Sequence, residues 1–256
     1  MRIAIITGAS SGMGRQFALQ LPKWERFDEI WLIARRADRL EALAAELPVP
    51  ARVLPLDLSS ADGPQALAAV LEAEQPEVGV LVCAAGYGKF GRVDEMDRED
   101  QLGMIDLNCR ALTAVTMACL PCCTQGSKLV ALGSLSAFQP VPWMAVYGAS
   151  KAYVLSFTRA LNAELKQKGI RAMAVCPGWV RTEFFQHAER EDKQAVTYFN
   201  RWYEADEVVA KALRDLYRTK KDVSICGAPV RNQVRLVKLL PHRLVMKVWL
   251  KQQGHG

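Results

Sequence analysis

Met1-Arg2-Ile3-Ala4-Ile5-Ile6-Thr7-Gly8-Ala9-Ser10-Ser11-Gly12-Met13-Gly14 is the stretch that decides the fold. A short β-branched run, Ile3–Ile6, ends in a glycine-rich loop, and apolar residues at helical spacing follow over Met13–Leu21. Glycine permits the tight turn and lets the backbone approach a pyrophosphate, which the exposed N–H groups and positive end of the next helix then hold. Thr7, Gly8, Ser10, Ser11, Gly12, Met13 and Gly14 are therefore candidate contacts for a dinucleotide. Ordinary strand-to-helix turns also use Gly and Ser, so the loop needs support from the rest of the chain.

Outward from this loop the same alternation continues. Strand candidates are Ile30–Ala34, Arg52–Pro55, Val78–Cys83, Lys128–Leu132, Ile170–Val175 and Val223–Ile225. Helical spacing covers Arg39–Leu47, Pro64–Ala73, Gln101–Leu120, Tyr147–Lys168 and Ala205–Arg218. Such alternation predicts an α/β chain with a single doubly wound (Rossmann) domain, its seven-stranded, mostly parallel sheet flanked by helices. The catalytic domain is expected over residues 1–228, with a lid at 183–203 and a basic amphipathic extension at 229–256.

The 256 residues are 50% hydrophobic and 23% charged, a balance that excludes disorder and collagen-like repeats. A chain of this length buries roughly 70–75% of its unfolded surface, so neither disulfides nor a structural metal are needed. The seven cysteines are scattered, and Cys119-x-x-Cys122 has no second pair to complete a metal site, which predicts reduced thiols and no metal. Net charge is +6, but from Lys211 onward eleven Lys/Arg face two acids, +9 locally against −3 elsewhere. A nucleic-acid binder is disfavoured. The N-terminal strand leaves no room for a signal peptide, and no apolar run reaches the ~18 residues of a spanning helix, so a cytoplasmic protein is expected.

The second strand ends Ile33-Ala34-Arg35-Arg36, where an NAD-preferring protein carries an acid for the ribose 2′-hydroxyl. Arginine pairs instead with a 2′-phosphate. NADP(H) is thus expected over NAD(H), with the reading that one of the two arginines is only solvated kept open. Asp57 and Leu58 follow the third strand, beside the adenine or simply in a turn.

Asn108, Ser134, Tyr147-Gly148-Ala149-Ser150-Lys151 and Pro177-Gly178 with Thr182 follow in order, Ser134 standing thirteen residues before Tyr147. With Thr7, Gly8, Gly12 and Gly14, they make the chain resemble the short-chain dehydrogenases/reductases over about residues 2 to 226. Residues four apart on a helix lie on one face, about 6 Å apart, so Lys151 can approach the Tyr147 phenol and favour its ionised form. Tyr147 is then the group that gives a proton to a carbonyl oxygen, or takes one from an alcohol.

The resemblance implies that Ser134 hydrogen-bonds the same oxygen, that Lys151 also holds the nicotinamide ribose, and that Asn108 holds a relaying water. It also implies that Pro177, Gly178, Val180 and Thr182 cover the nicotinamide, that Ala85 and Gly86 approach the cofactor through their backbone, and that the protein is a homodimer or homotetramer. One departure stands out: the family's usual Asn-Asn-Ala-Gly is here Cys83-Ala84-Ala85-Gly86.

The stretch after Thr182 holds Phe184, Phe185, Tyr198, Phe199, Trp202 and Tyr203. These suit an apolar ketone, aldehyde or alcohol, and Trp143, Trp179, Phe184, Phe185 and Trp202 are the substrate candidates, with Gln139 and Met144 on a facing wall. The competing reading is that the aromatics only pack the lid. His187 stands alone and is not expected to be catalytic. In the extension, Arg231, Arg235, Lys238 and His242 recur opposite Val234, Val237 and Leu240, and Pro241 bends or divides the helix. This basic amphipathic segment either lies on an anionic membrane surface or packs across a subunit interface.

Together these point to an NADP-dependent oxidoreductase interconverting carbonyls and alcohols. A non-catalytic NADP-binding sensor or scaffold is the alternative, which the intact set of Asn108, Ser134, Tyr147 and Lys151 disfavours. A methyltransferase-like protein is disfavoured by Arg35-Arg36 and the Tyr147/Lys151 pair.

Overall fold

A computed structural model describes residues 1–188 and 195–255. The expected strands form one seven-stranded sheet: β1 (Arg2–Thr7), β2 (Glu29–Ala34), β3 (Ala51–Pro55), β4 (Glu77–Cys83), β5 (Lys128–Leu132), β6 (Arg171–Val175) and, last in the chain, β9 (Val223–Ser224). Their order is β3-β2-β1-β4-β5-β6-β9 and every pairing is parallel. The chain winds outward from β1 in one direction and from β4 in the other. Loops leaving these two neighbours therefore part, and a crevice opens at their carboxyl ends.

Both faces of the sheet are covered, as unbroken apolar strands require. Ala4 and Ile6 face α1 (Gly12–Gln20) and α8 (Ala205–Arg218), whereas Ile3 and Ile5 face α3 (Asp62–Glu74), α5 (Leu112–Cys119) and α6 (Ala145–Glu164). Each large aliphatic side chain buried there contributes roughly 1.5–3 kcal/mol. The remaining crossover helices are α2 (Ala37–Glu46) and α4 (Arg98–Ile105). All seven cysteines are free thiols, and among the described residues no acid, His and Cys cluster could hold a metal and no helix is long and apolar enough to cross a membrane.

Three features differ from the periodicity. The single helix expected over Gln101–Leu120 is broken by a π turn, Asp106–Ala111, between α4 and α5. A two-stranded parallel ribbon pairs β7 (Trp179–Arg181) with β8 (Trp202–Glu204) beneath the lid helix α7 (Phe184–Ala188). The extension forms α9 (Ala228–Val237) and α10 (His242–Gln252), divided at Pro241, which stands at the start of α10. Part of the expected lid, 189–194, lies outside the described residues, as does Gly256, and the side chain of His187 is likewise not described.

Candidate active site

The glycine loop is shaped by close backbone contact. Gly8 has φ +66°, and a Cβ there would lie 2.7 Å from the Ala84 carbonyl carbon; a Cβ on Gly14 would lie 2.2 Å from the Gly8 oxygen. Thr7 closes the floor. Its buried hydroxyl accepts from the Ala84 and Ala85 N–H groups, both at 3.1 Å, so the turn lacking the family's asparagine is stitched from β1. Ser11 gives α1 no side-chain cap, which leaves the helix's first N–H groups facing the cleft, as a pyrophosphate requires.

At the carboxyl end of β2, Arg35 is exposed and Arg36 is half-buried. Arg36 donates to the Ser10 hydroxyl at 3.1 Å and to Glu183 at 3.0 Å. Arg35 makes no hydrogen bond or salt bridge among the described residues, although its charge is felt by the Asp57 carboxylate. The β2 edge lacks an acid in sequence, but the fold brings one to it from the lid. Asp57 sits in a turn, its carboxylate accepting from the Ser59 N–H at 2.9 Å, and with Leu58 it lines the cleft.

The four residues of the reactive set meet at the other end. Tyr147 and Lys151 are buried on α6, with Lys151 Nζ 5.7 Å from the phenol ring centre. Lys151 donates to the Leu132 carbonyl at 2.8 Å. Ser134 follows β5, accepts from the Ser136 N–H at 3.2 Å and acts on the Tyr147 phenol in the direction that favours its ionised form. Burial dominates both titrations: it pushes the Tyr147 phenol up to about 12, only partly opposed by Ser134, and draws Lys151 down to about 8. The lowered phenol expected from the lysine is thus not what burial alone produces.

Asn108 owes its place to the π turn. Its carboxamide accepts from the Tyr87 N–H at 3.1 Å and donates to the Tyr87 carbonyl at 2.9 Å and to Ser150 Oγ at 3.0 Å. Both amide hydrogens are used in tying α6 to the loop after β4. Gly86 sits against this junction: a Cβ there would lie 2.7 Å from Asn108 Oδ1 and 3.4 Å from Lys151 Nζ.

One cleft of about 700 Å³ joins the two ends, from the glycine loop and Arg35 past Ala85, Gly86 and Pro177–Val180 to Tyr147, a volume within the usual range for small-molecule sites. Trp179, Phe184 and Phe185 line it, with Gln139, Met144 and Tyr198. Trp143 and Trp202 do not. Trp143 stacks on His255, centroids 4.1 Å apart, and Trp202 packs behind Phe185 and Phe199 at 4.7 and 5.0 Å. Phe199 and Tyr203 are also outside the lining.

Phe90 was missed in the sequence. It lies edge-on to Tyr147 at 5.9 Å and beside Phe184 at 6.1 Å, yet nothing in Tyr87-Gly88-Lys89-Phe90 signals it. Trp249 and Gln252 of α10 line the cleft too, as do Asn200 and Gln233. The extension packs on the lid of its own chain, while Leu236, Leu239, Leu244 and Val248 remain exposed on its outer face.

A phenol able to exchange a proton, one helical turn from a lysine and at the end of a dinucleotide cradle, belongs to enzymes that move hydride between alcohols and carbonyls. Comparison gives this class its family: the profile of the short chain dehydrogenases matches residues 2–193, and the chain is a member. Sulfoacetaldehyde reductase 2 of Chromohalobacter salexigens is 38% identical over 193 residues, 71% of this chain and 74% of that one. Serine 3-dehydrogenase of Agrobacterium fabrum is 32% identical over 185 residues, 70% and 72% of the two chains.

Among solved structures, a short-chain dehydrogenase from Sphingobium yanoikuyae in complex with NADPH superposes with a TM-score of 0.80 at 30% identity, covering 96% of this chain and 95% of that one. A bulky-bulky ketone specific alcohol dehydrogenase from Comamonas testosteroni superposes with a TM-score of 0.73 at 26% identity, covering 93% and 92%.

Proposed function

We propose that the protein reduces apolar ketones or aldehydes with NADPH, and oxidises the corresponding alcohols, through proton exchange at Tyr147. The observation that carries this reading is the surround of the phenol, with Phe90 and Phe184 against its ring at 5.9 and 5.6 Å and Trp179 and Phe185 lining the cleft beyond. An aromatic site favours apolar groups flanking the reacting carbon. The relatives named for sulfoacetaldehyde and serine act on small polar compounds. Here, among the described lining residues away from the β2 edge and Lys151, the only cation is Lys89, and it faces Asp100 at 3.7 Å. The Comamonas likeness favours larger ketones.

The cradle suits the cofactor: glycines where a Cβ would collide, an uncapped helix start, and Arg35 exposed and outside any salt bridge of the described residues, facing the place of a 2′-phosphate. When bound, NADPH supplies the hydride that reaches the carbonyl carbon. Tyr147 gives its phenolic proton to the carbonyl oxygen, and Ser134 donates a hydrogen bond to the same atom as charge gathers there. Lys151, as an ammonium ion, offsets the phenolate left behind. Asn108, through Tyr87 and Ser150, keeps Lys151 and Gly86 in register.

The test is loss of NADPH absorbance over a carbonyl panel graded from short hydroxylated to long or bulky apolar compounds, repeated with NADH. Turnover rising with apolar size and favouring NADPH supports the reading, and absence of turnover on every carbonyl refutes it.

A further inference from the structure

Gln253 is 2% exposed, which is uncommon for a carboxamide residue. Its position is explained by the lid. Gln253 Oε1 accepts from the Thr197 N–H at 2.8 Å and the Tyr198 N–H at 2.9 Å, and Nε2 donates to the Tyr198 carbonyl at 3.3 Å. The Thr197 hydroxyl donates in turn to the Gln253 carbonyl at 3.1 Å. One side chain therefore meets the extended lid segment much as a neighbouring strand would.

Two further ties lie on either side. Trp249, one turn before Gln253, donates from its indole to the Pro142 carbonyl at 3.0 Å. His255 meets the Ala195 carbonyl at 3.1 Å and stacks on Trp143. Trp143 has φ +69°, a conformation that strains a bulky residue and persists only where the surroundings hold it. The end of the chain, the lid after 194 and the loop before α6 are thus locked at one junction. Trp249 and Gln252 line the cleft from this junction, and Trp249 packs with the apolar cluster that contains Phe90, Met144 and Tyr147.

We propose that α10 is the outer wall of the substrate end of the cleft. Trp249 is a specificity-determining residue that limits the size of the substrate's apolar arm, and Gln253 is the positioning residue that holds this wall against the lid. This rests on the reading of the aromatic end as the site of an apolar carbonyl compound. It assigns the basic extension a place in substrate selection.

Two measurements test the two parts separately. Hydrogen exchange at the Thr197 and Tyr198 amides reads the clasp without any substrate. Gln253→Ala is expected to speed exchange there about tenfold or more, as when a protecting bond is lost. A Tm and far-ultraviolet circular dichroism spectrum of Gln253→Ala near those of wild type, with faster exchange confined to the lid amides, separates the clasp from a general folding defect. Unchanged protection in Gln253→Ala overturns it.

The wall is read by calorimetry with NADP+ present, the oxidised form that cannot reduce a ketone, titrating acetophenone and benzophenone into wild type and Trp249→Ala. The ratio of their dissociation constants is expected to shift about tenfold towards the larger ketone, in line with the value of a small change in an apolar pocket. An unchanged ratio overturns the wall. Binding of neither ketone to wild type overturns the apolar-carbonyl reading and the wall with it, and the clasp is then decided by exchange alone.

Discussion

Arg36, at the end of β2, and Glu183, at the start of the lid, are joined by an ion pair of 3.0 Å at the edge of the cleft. The same carboxylate also holds Arg39, and the two guanidinium groups keep it below the usual range for a glutamate. All three side chains are more than a third exposed, so each pair is worth at most about 1 kcal/mol. A 2′-phosphate can compete with Glu183 for Arg36 at small cost, which leaves Arg35 as the contact already available.

Cofactor choice tests this relationship. Arg35→Ala is expected to weaken NADPH about tenfold and leave NADH nearly unchanged, one charge-assisted contact being worth about 1.4 kcal/mol. Glu183→Gln should strengthen NADPH by up to about fivefold by releasing Arg36. Fluorescence titration gives both values, and equal dissociation constants for the two cofactors in wild type would contradict the NADPH reading.

Tyr147→Phe keeps the ring between Phe90 and Phe184 and removes only the proton. Turnover should fall by about 10²–10⁴-fold while NADPH binding persists. Retention of a substantial fraction of wild-type turnover would rule out the assigned role.

The two buried groups act as a pair in pH dependence. Phenol with amine and phenolate with ammonium hold the same number of protons, so the first proton leaves the pair near the lower value, about 8. Alcohol oxidation, which needs the pair one proton short, should rise with pH and level off above about 8. Carbonyl reduction, which needs the full pair, should decline above it. Burial also raises the adjoining thiols Cys109 and Cys176, Cys176 to about 12. In Lys151→Ala only the phenol at about 12 remains, so kcat/KM for oxidation should climb without a plateau up to the limit of the protein's stability.

Thr7→Val leaves two N–H groups of the β4 turn without their acceptor. The expected loss is about 1–3 kcal/mol, a fall in Tm of roughly 2–4 °C per kcal/mol for a protein near this size. A melting curve unchanged from wild type would show that the turn is held by something other than this hydroxyl.

Phe184 and Trp202 look alike in sequence and are separated by their placement. Phe184→Ala removes a cleft wall touching Tyr147, so the preference for long apolar carbonyls over short polar ones should narrow. Trp202→Ala removes packing behind that wall and should lower Tm while leaving the length dependence in place. Equal effects of the two substitutions on the length profile would refute the distinction.

The seven strands, the glycine cradle and the order of Asn108, Ser134, Tyr147 and Lys151 were legible in the chain because each is a local matter. Short unbroken apolar, β-branched runs make buried parallel strands, a positive φ at Gly8 makes the turn, and a spacing of four puts Tyr147 and Lys151 on one helical face. What escaped is what packing decides between distant segments. The helix through Asn108 reads as continuous, and only its bonds to Tyr87 and Ser150 accompany a π turn there. The β2 edge reads as free of acids until the lid carries Glu183 across from 147 residues away. Trp143 and Trp202 have the composition of substrate contacts, but their neighbours turn one to His255 and the other to Phe199. The basic extension carries an amphipathic pattern that fits lipid or protein equally, since periodicity says which face is apolar and not what covers it. Here the lid covers part of that face, because Gln253 accepts from the Thr197 and Tyr198 N–H groups of the lid, an arrangement no local pattern in the sequence encodes.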